Sequence, residues 1–101
     1  MITSKERAAL RAQANPLEVT LIVGKSGISQ TLLDEAVILL DSHELVKGRV
    51  LENSLLSARE ACDRLAEVCR AEPVQVIGSK FVLYKRNEQK PKIELVKKAR
   101  K

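Results

Sequence analysis

Glu18-Val19-Thr20-Leu21-Ile22-Val23-Gly24-Lys25-Ser26-Gly27-Ile28-Ser29-Gln30-Thr31-Leu32-Leu33 is the stretch on which the reading of the fold turns. Its first six residues are short and rich in β-branched side chains, which suits a strand, and they stop at a glycine. Ser29 is suited to N-cap a helix, and Leu32, Leu33, Ala36, Val37 and Leu40 then recur at the helical period to about Ser42. A strand that passes through a glycine turn into an amphipathic helix is a building unit of α/β sheets.

Downstream of that unit, Leu45 to Leu51 alternates, with Val46, Gly48 and Val50 on one side and Leu45, Lys47, Arg49 and Leu51 on the other, a strand with a cationic face. Ser57-Ala58-Arg59-Glu60 is a capping box opening a third helix, with an apolar stripe of Ala58, Ala61, Cys62, Leu65, Val68 and Cys69. Pro73 follows its end. Val74-Gln75-Val76-Ile77 and Phe81-Val82-Leu83-Tyr84 flank Gly78-Ser79-Lys80 as a β-hairpin would. Upstream, Thr3-Ser4-Lys5-Glu6 is a second capping box, predicting a first helix to about Ala14. Asn15-Pro16 should end it, because a residue before proline is pushed out of the α region. The order helix-strand-helix-strand-helix-strand-strand predicts a compact single α/β domain over residues 1–86, with a mixed four-stranded sheet and helices packed on it.

The chain has 101 residues and a formal charge of +5. Met1 to Tyr84 holds 10 Lys and Arg against 11 Asp and Glu, whereas Lys85 to Lys101 holds 8 against 2. Residues 87–101 therefore read as a basic C-terminal tail, with a short element at Ile93-Glu94-Leu95-Val96 as its one candidate for structure. A basic tail on a near-neutral body suits a polyanionic partner or a solubilising extension. No apolar run reaches the ~20 residues of a membrane span, and the N-terminal residues do not form a signal-peptide pattern, so a cytoplasmic protein is expected. Cys62 and Cys69 are two helical turns apart, about 10 Å, too far for a disulfide. With His43 the only histidine and no Cys-x-x-Cys spacing, neither metal nor cofactor is expected.

The chemistry is concentrated in Gly24-Lys25-Ser26-Gly27. Two glycines let the backbone turn tightly, the following helix N-terminus attracts anions, Lys25 adds a cation and Ser26 a hydroxyl. The same spacing is common in plain turns, and it is not the longer phosphate loop of nucleotide hydrolases.

Four blocks, in this order, resemble the CRM domain (chloroplast RNA splicing and ribosome maturation), and above all its stand-alone bacterial YhbY-like members. They are Asn15-Pro16-Leu17, Val23-Gly24-Lys25-Ser26-Gly27-Ile28, His43-Glu44-Leu45-Val46-Lys47, and Val74-Gln75-Val76-Ile77-Gly78 with Val82-Leu83-Tyr84-Lys85. The resemblance covers about Thr3 to Arg86. It implies a fold similar to the C-terminal domain of translation initiation factor three, a glycine loop comparable to that of KH domains, and RNA binding. It implies contacts from Gly24, Lys25, Ser26 and Gly27, and from the basic first helix through Lys5, Arg7 and Arg11. With these go Lys47, Arg49, Lys85 and Arg86 as candidate RNA contacts, and as partner large-subunit ribosomal RNA or its precursor particles, with no membrane and no small-molecule substrate. The departures are Asn15 where many members have histidine, Lys85 in place of a common arginine, and Gly48 in a strand usually continued by a β-branched residue, a place where glycine marks a bulge or a close approach.

Blander readings stand beside these. Lys47 and Arg49 are equally a solvated strand face. His43 beside Glu44 fits a helix C-terminal residue better than an acid-base pair, since no nucleophile accompanies it. Tyr84 reads as a partly buried strand residue, and with one Phe and one Tyr an aromatic base-stacking platform has little support. No catalytic residue is expected. A nucleotide-binding enzyme would need carboxylates placed for a metal, and Asp34-Glu35 sits over the turn into a helix. A general KH-like RNA binder or a protein adaptor with an exposed apolar patch are the other classes.

Overall fold

The computed structural model describes residues 2–86, so the tail and its segment at residues 93–96 lie outside the described residues. Helix α1 (Ser4–Ala14) opens with the reciprocal capping box: Thr3 Oγ1 accepts from the Glu6 amide at 3.1 Å, and the Thr3 amide donates to Glu6 Oε1 at 2.9 Å. The helix ends next to Pro16, but not by the predicted route. Asn15 keeps right-handed helical angles, and its amide still donates to the Arg11 carbonyl. What stops the helix is that Pro16 has no N–H to continue the series.

Strand β1 (Leu21–Val23) is half the length the β-branched run predicts. Residues 15–20 carry the chain from α1 to the sheet edge, and only at Thr20, whose amide donates to the Lys47 carbonyl, does it meet the neighbouring strand. Helix α2 (Gln30–His43), with Ser29 as N-cap, returns the chain so that β2 (Leu45–Val50) pairs parallel with β1. Helix α3 (Ala58–Cys69), opened by its own capping box at Ser57 and Glu60, leads to β3 (Glu72–Ile77) and, through Gly78-Ser79, to β4 (Lys80–Tyr84). The sheet order is β1-β2-β4-β3, with β4 antiparallel to both its neighbours. The hairpin turn is one residue shorter than predicted, because Lys80 pairs with Ile77. Gly78, at φ 59, supplies the positive angle that two-residue hairpin turns favour. Pro73 lies inside β3, next to a break in register between Pro73 and Gln75, and β3 is an edge strand, where a missing N–H does no harm.

The sheet has a helix on one face and two on the other. Leu21, Val23, Val46, Val50, Phe81 and Leu83 point toward α2 and α3 and form the main core with Leu32, Ala36, Leu40, Ala61, Cys62 and Leu65. On the opposite face α1 seats Leu10 and Ala14 on Leu45, Val74, Val82 and Tyr84. In α3 one residue departs from the predicted stripe: Val68 is 55% exposed and Ala66 is buried. At roughly 100° per residue, Val68 falls about 100° from the line through Cys62, Leu65 and Cys69, while Ala66 falls closer in. Both cysteines are buried and free.

Gly48 does not disturb β2. Its cross-strand partners are Leu21 and Phe81, and the Phe81 ring occupies the space beside it: a Cβ built at residue 48 would lie 2.3 Å from Phe81 Cζ. Any side chain here would have to displace the ring from the centre of the core, an overpacking cost of about 1–3 kcal/mol. Gly48→Ala should therefore lower the urea midpoint sharply. Phe81→Leu should lose stability by itself yet partly relieve Gly48→Ala, so that the double variant is less damaged than the summed single effects, a coupling measured by a double-mutant cycle.

Burial pushes the Cys62 thiol up from its ordinary value of 9.0 to about 11, with Asp63 adding to the rise and Arg59 opposing it, and Tyr84 is raised chiefly by burial too. A raised acid holds its proton longer in the folded state than in the unfolded one, so stability is full below the unfolded value and falls as pH rises through the folded one. The thermal midpoint is expected to hold up to about pH 9 and to decline from there toward pH 11. A Cys62→Ala variant, compared with wild type over that range, should show a shallower decline.

Candidate nucleic-acid interface

Parallel pairing of β1 with β2 brings the chain out of β1 at the same end of the sheet as the loop after β2. There the Gly27 amide donates to the Gly24 carbonyl at 3.0 Å, closing a turn whose two central residues, Lys25 and Ser26, are both exposed. Gly27 has φ 69, a conformation that costs other residues roughly 1–2 kcal/mol. Gly24 is different: its φ is ordinary and an added Cβ would meet Leu51 Cδ1 at 3.6 Å, normal contact. The turn thus rests on Leu51 and Leu56, and its outer edge is Lys25, Ser26 and backbone. Ser29 Oγ accepts from the Leu32 amide at 3.2 Å and starts α2 directly behind it.

The hairpin turn Gly78-Ser79 lies at this end as well, tied to β2 by the Val50 amide donating to the Ser79 carbonyl at 2.8 Å. Between it and the loop after β2 runs a groove of about 670 Å³, lined by Arg49, Leu51, Ser54, Leu56, Ser57 and Ser79 among others. Leu55, in the same loop, is 92% exposed. Arg49 points away from the main core, exposed on the α1 side of the sheet.

The structure separates the other candidate residues. Lys47 is half-buried, and its Nζ donates to the Ala14 and Asn15 carbonyls at 3.3 and 3.4 Å, holding the C-terminus of α1, where a cation opposes the helix dipole. The Arg7 Nε donates to the Pro73 carbonyl at 3.4 Å and ties α1 to β3. Lys5 is exposed and Arg11 half-buried on the same helix. Lys85 and Arg86 follow β4 and so leave the sheet at the end opposite the glycine turn, where the Lys85 amide donates to the Glu44 carbonyl. Gly24, Lys25, Ser26, Gly27 and Arg49 thus share one end, and Lys85 and Arg86 lie at the other.

Sequence reasoning missed two residues. Lys80, read as part of a turn, is exposed and directly opposite Arg49 across β2 and β4, which only the hairpin register could reveal. Glu44, read with His43, is fully buried with φ 65, whereas His43 is exposed at the end of α2. Tyr84 is more deeply buried than expected, at 2% exposure. Its hydroxyl pKa is raised by burial and then by Glu44 and Glu6, with Arg86 acting against them. Among the described residues no group of three or more His, Cys, Asp or Glu is placed to hold a metal ion, and no helix is long and apolar enough to cross a membrane.

A single mixed sheet with a strand, a glycine turn and a helix at its heart, and cations gathered at the turn's end, defines a small α/β module built to present a loop. The chain belongs to the CRS1 / YhbY (CRM) domain family, whose sequence pattern matches residues 2–85. It is 33% identical over 95 residues to the "Probable RNA-binding protein YqeI" of Bacillus subtilis, covering 94% of this chain and 99% of that one. It is 28% identical to a Haemophilus influenzae protein named "RNA-binding protein", covering 96% and 97% of the two chains. The solution structure of the hypothetical protein SAV1595 from Staphylococcus aureus superposes with a TM-score of 0.80 at 34% identity, covering 95% of this chain and all of that one.

The bonds made by Lys47 assign it a structural task that an apolar residue of similar length cannot perform. Lys47→Met is expected to cost about 1 kcal/mol, the scale of a lost charged cap at a helix end, read as a drop in the urea midpoint.

Proposed function

We propose that this protein is an RNA-binding module, not an enzyme, which acts on large-subunit ribosomal RNA in precursor particles during ribosome assembly. The single observation that carries the reading is the exposed Gly24–Gly27 turn, poised between β1 and the N-terminus of α2 and flanked by Arg49. Phosphate oxygens find there a cation at Lys25, a hydroxyl at Ser26 and the positive end of a helix. Membership of the CRM family and the names of the relatives support an RNA ligand. The ribosomal assignment rests on the resemblance to YhbY-like proteins. Lys5 and Arg11 on α1 and Arg86 beyond β4 form a second cationic area away from the turn, and residues 87–101 act as a separate basic tail that adds phosphate contacts. A cytoplasmic location follows from that partner.

The experiment is filter binding of ribosomal RNA as a function of salt, with thermal melts in parallel. Gly24→Asp is the cleanest variant, because the backbone there is unstrained and a side chain has room. It is expected to melt close to wild type and to lose most RNA affinity, whereas Lys25→Ala, which removes one point charge, should lose less. Deleting residues 87–101 should leave the melt unchanged and reduce the slope of log affinity against log salt, by nearly one unit for each phosphate that the tail neutralises. Equal binding by wild type and Gly24→Asp would reduce the loop to an ordinary turn.

A further inference from the structure

On the α1 side of the sheet, the helix covers only the half that carries Leu45, Val74, Val82 and Tyr84. Toward the glycine-turn end, one cross-strand row is open. Its members are joined by register: Ile22 of β1 with Arg49 of β2, Arg49 with Lys80 of β4, and Lys80 with Ile77 of β3. All four are exposed, with Ile22 at 43% and Ile77 at 63%. At the usual spacing between strands the row is roughly 14 Å wide.

Two features of this row have no use among the described residues. Arg49 and Lys80 are direct cross-strand neighbours of like charge, an arrangement that lowers sheet stability, and the row contains no carboxylate to balance them. The isoleucines that flank them leave apolar area in water on a face whose other half is covered. An anion with flat apolar parts would make use of both: phosphates on the two central cations, and bases against the outer isoleucines. Arg49 also lines the groove between the hairpin turn and the loop after β2, where Glu52 is the one carboxylate among the described residues, so the row meets that groove at Arg49.

We propose that this open row is a second RNA-contacting element, which receives an unpaired RNA segment running on from the glycine turn. The inference rests on the RNA-binding reading and specifies its ligand. A duplex buries its base faces in stacking and offers the isoleucines nothing, whereas a loop or bulge has bases free to splay onto them. With no aromatic ring in the row, contact is through area and charge and is tolerant of sequence.

The test uses the full chain with an unstructured oligouridine and a fully paired RNA duplex of the same length, at several salt concentrations. Arg49→Gln/Lys80→Gln should melt at or slightly above wild type, because the cross-strand repulsion is relieved, and lower the oligouridine salt slope by about 1.4, the value for two single-strand phosphate contacts. Ile22→Ala/Ile77→Ala should weaken oligouridine binding severalfold with no change in slope, and leave duplex binding as it was. Gly24→Asp is run beside them. If it loses affinity while both row variants bind like wild type, the row is a solvated surface and the loop acts alone. If the row cations matter equally for duplex and single strand and the isoleucines for neither, the occupant is a duplex backbone and the proposal fails. A wild-type chain that binds ribosomal RNA but not oligouridine overturns it as well. If Gly24→Asp and both row variants all bind like wild type, the RNA-binding site has been wrongly placed altogether.

Discussion

The Phe81 ring packed over Gly48 is the contact on which the rest of the structure depends. It is the only phenylalanine in the chain, it is fully buried, and its space exists only because the residue across from it has no side chain. The row Leu21, Gly48, Phe81 and Val76 crosses all four strands, so this contact locks the register of the sheet from edge to edge. Side chains alternate between faces, and a slip of one residue would bring Arg49 and Lys80 under α2 and α3. Holding Phe81 over Gly48 is thus also what keeps the two cations outside, side by side.

That dependence explains which parts of the fold were legible from sequence. The capping boxes at Thr3 and Ser57, the strand–turn–helix unit and the alternation from Leu45 are local patterns, and each is found where the spacing places it. The failures are of another kind. Val19 has strand propensity but lies on the path from α1 to the sheet, where it has no partner to pair with. Pro73 reads as a terminator, and only an edge position, invisible locally, lets it sit within β3. Gly48 looks like a defect until the residue facing it is known.

The candidate site divides in the same way. The glycine turn could be read because four consecutive residues carry it. The surroundings could not, since Lys80 becomes a neighbour of Arg49 only through a hairpin whose turn is two residues long. Charge alone overstated the free cationic surface: Lys47 and Arg7 donate to the protein's own carbonyls, so part of their positive charge holds α1 in place. Geometry shifts the emphasis from a broad basic face to one end of the sheet and the half-face next to it.

The two outer strands bear on how this molecule behaves in a crowded solution. A sheet with free edges is a template on which another chain can add a strand, and self-association of that kind is a standing hazard for small open sheets. Here one edge, β1, has only three residues, and the other, β3, has a proline and a break in register in its first half. Neither offers the long, regular row of amides and carbonyls that strand addition requires. The short first strand and the misplaced proline, awkward as strand signals, thus guard the protein against polymerising through its edges.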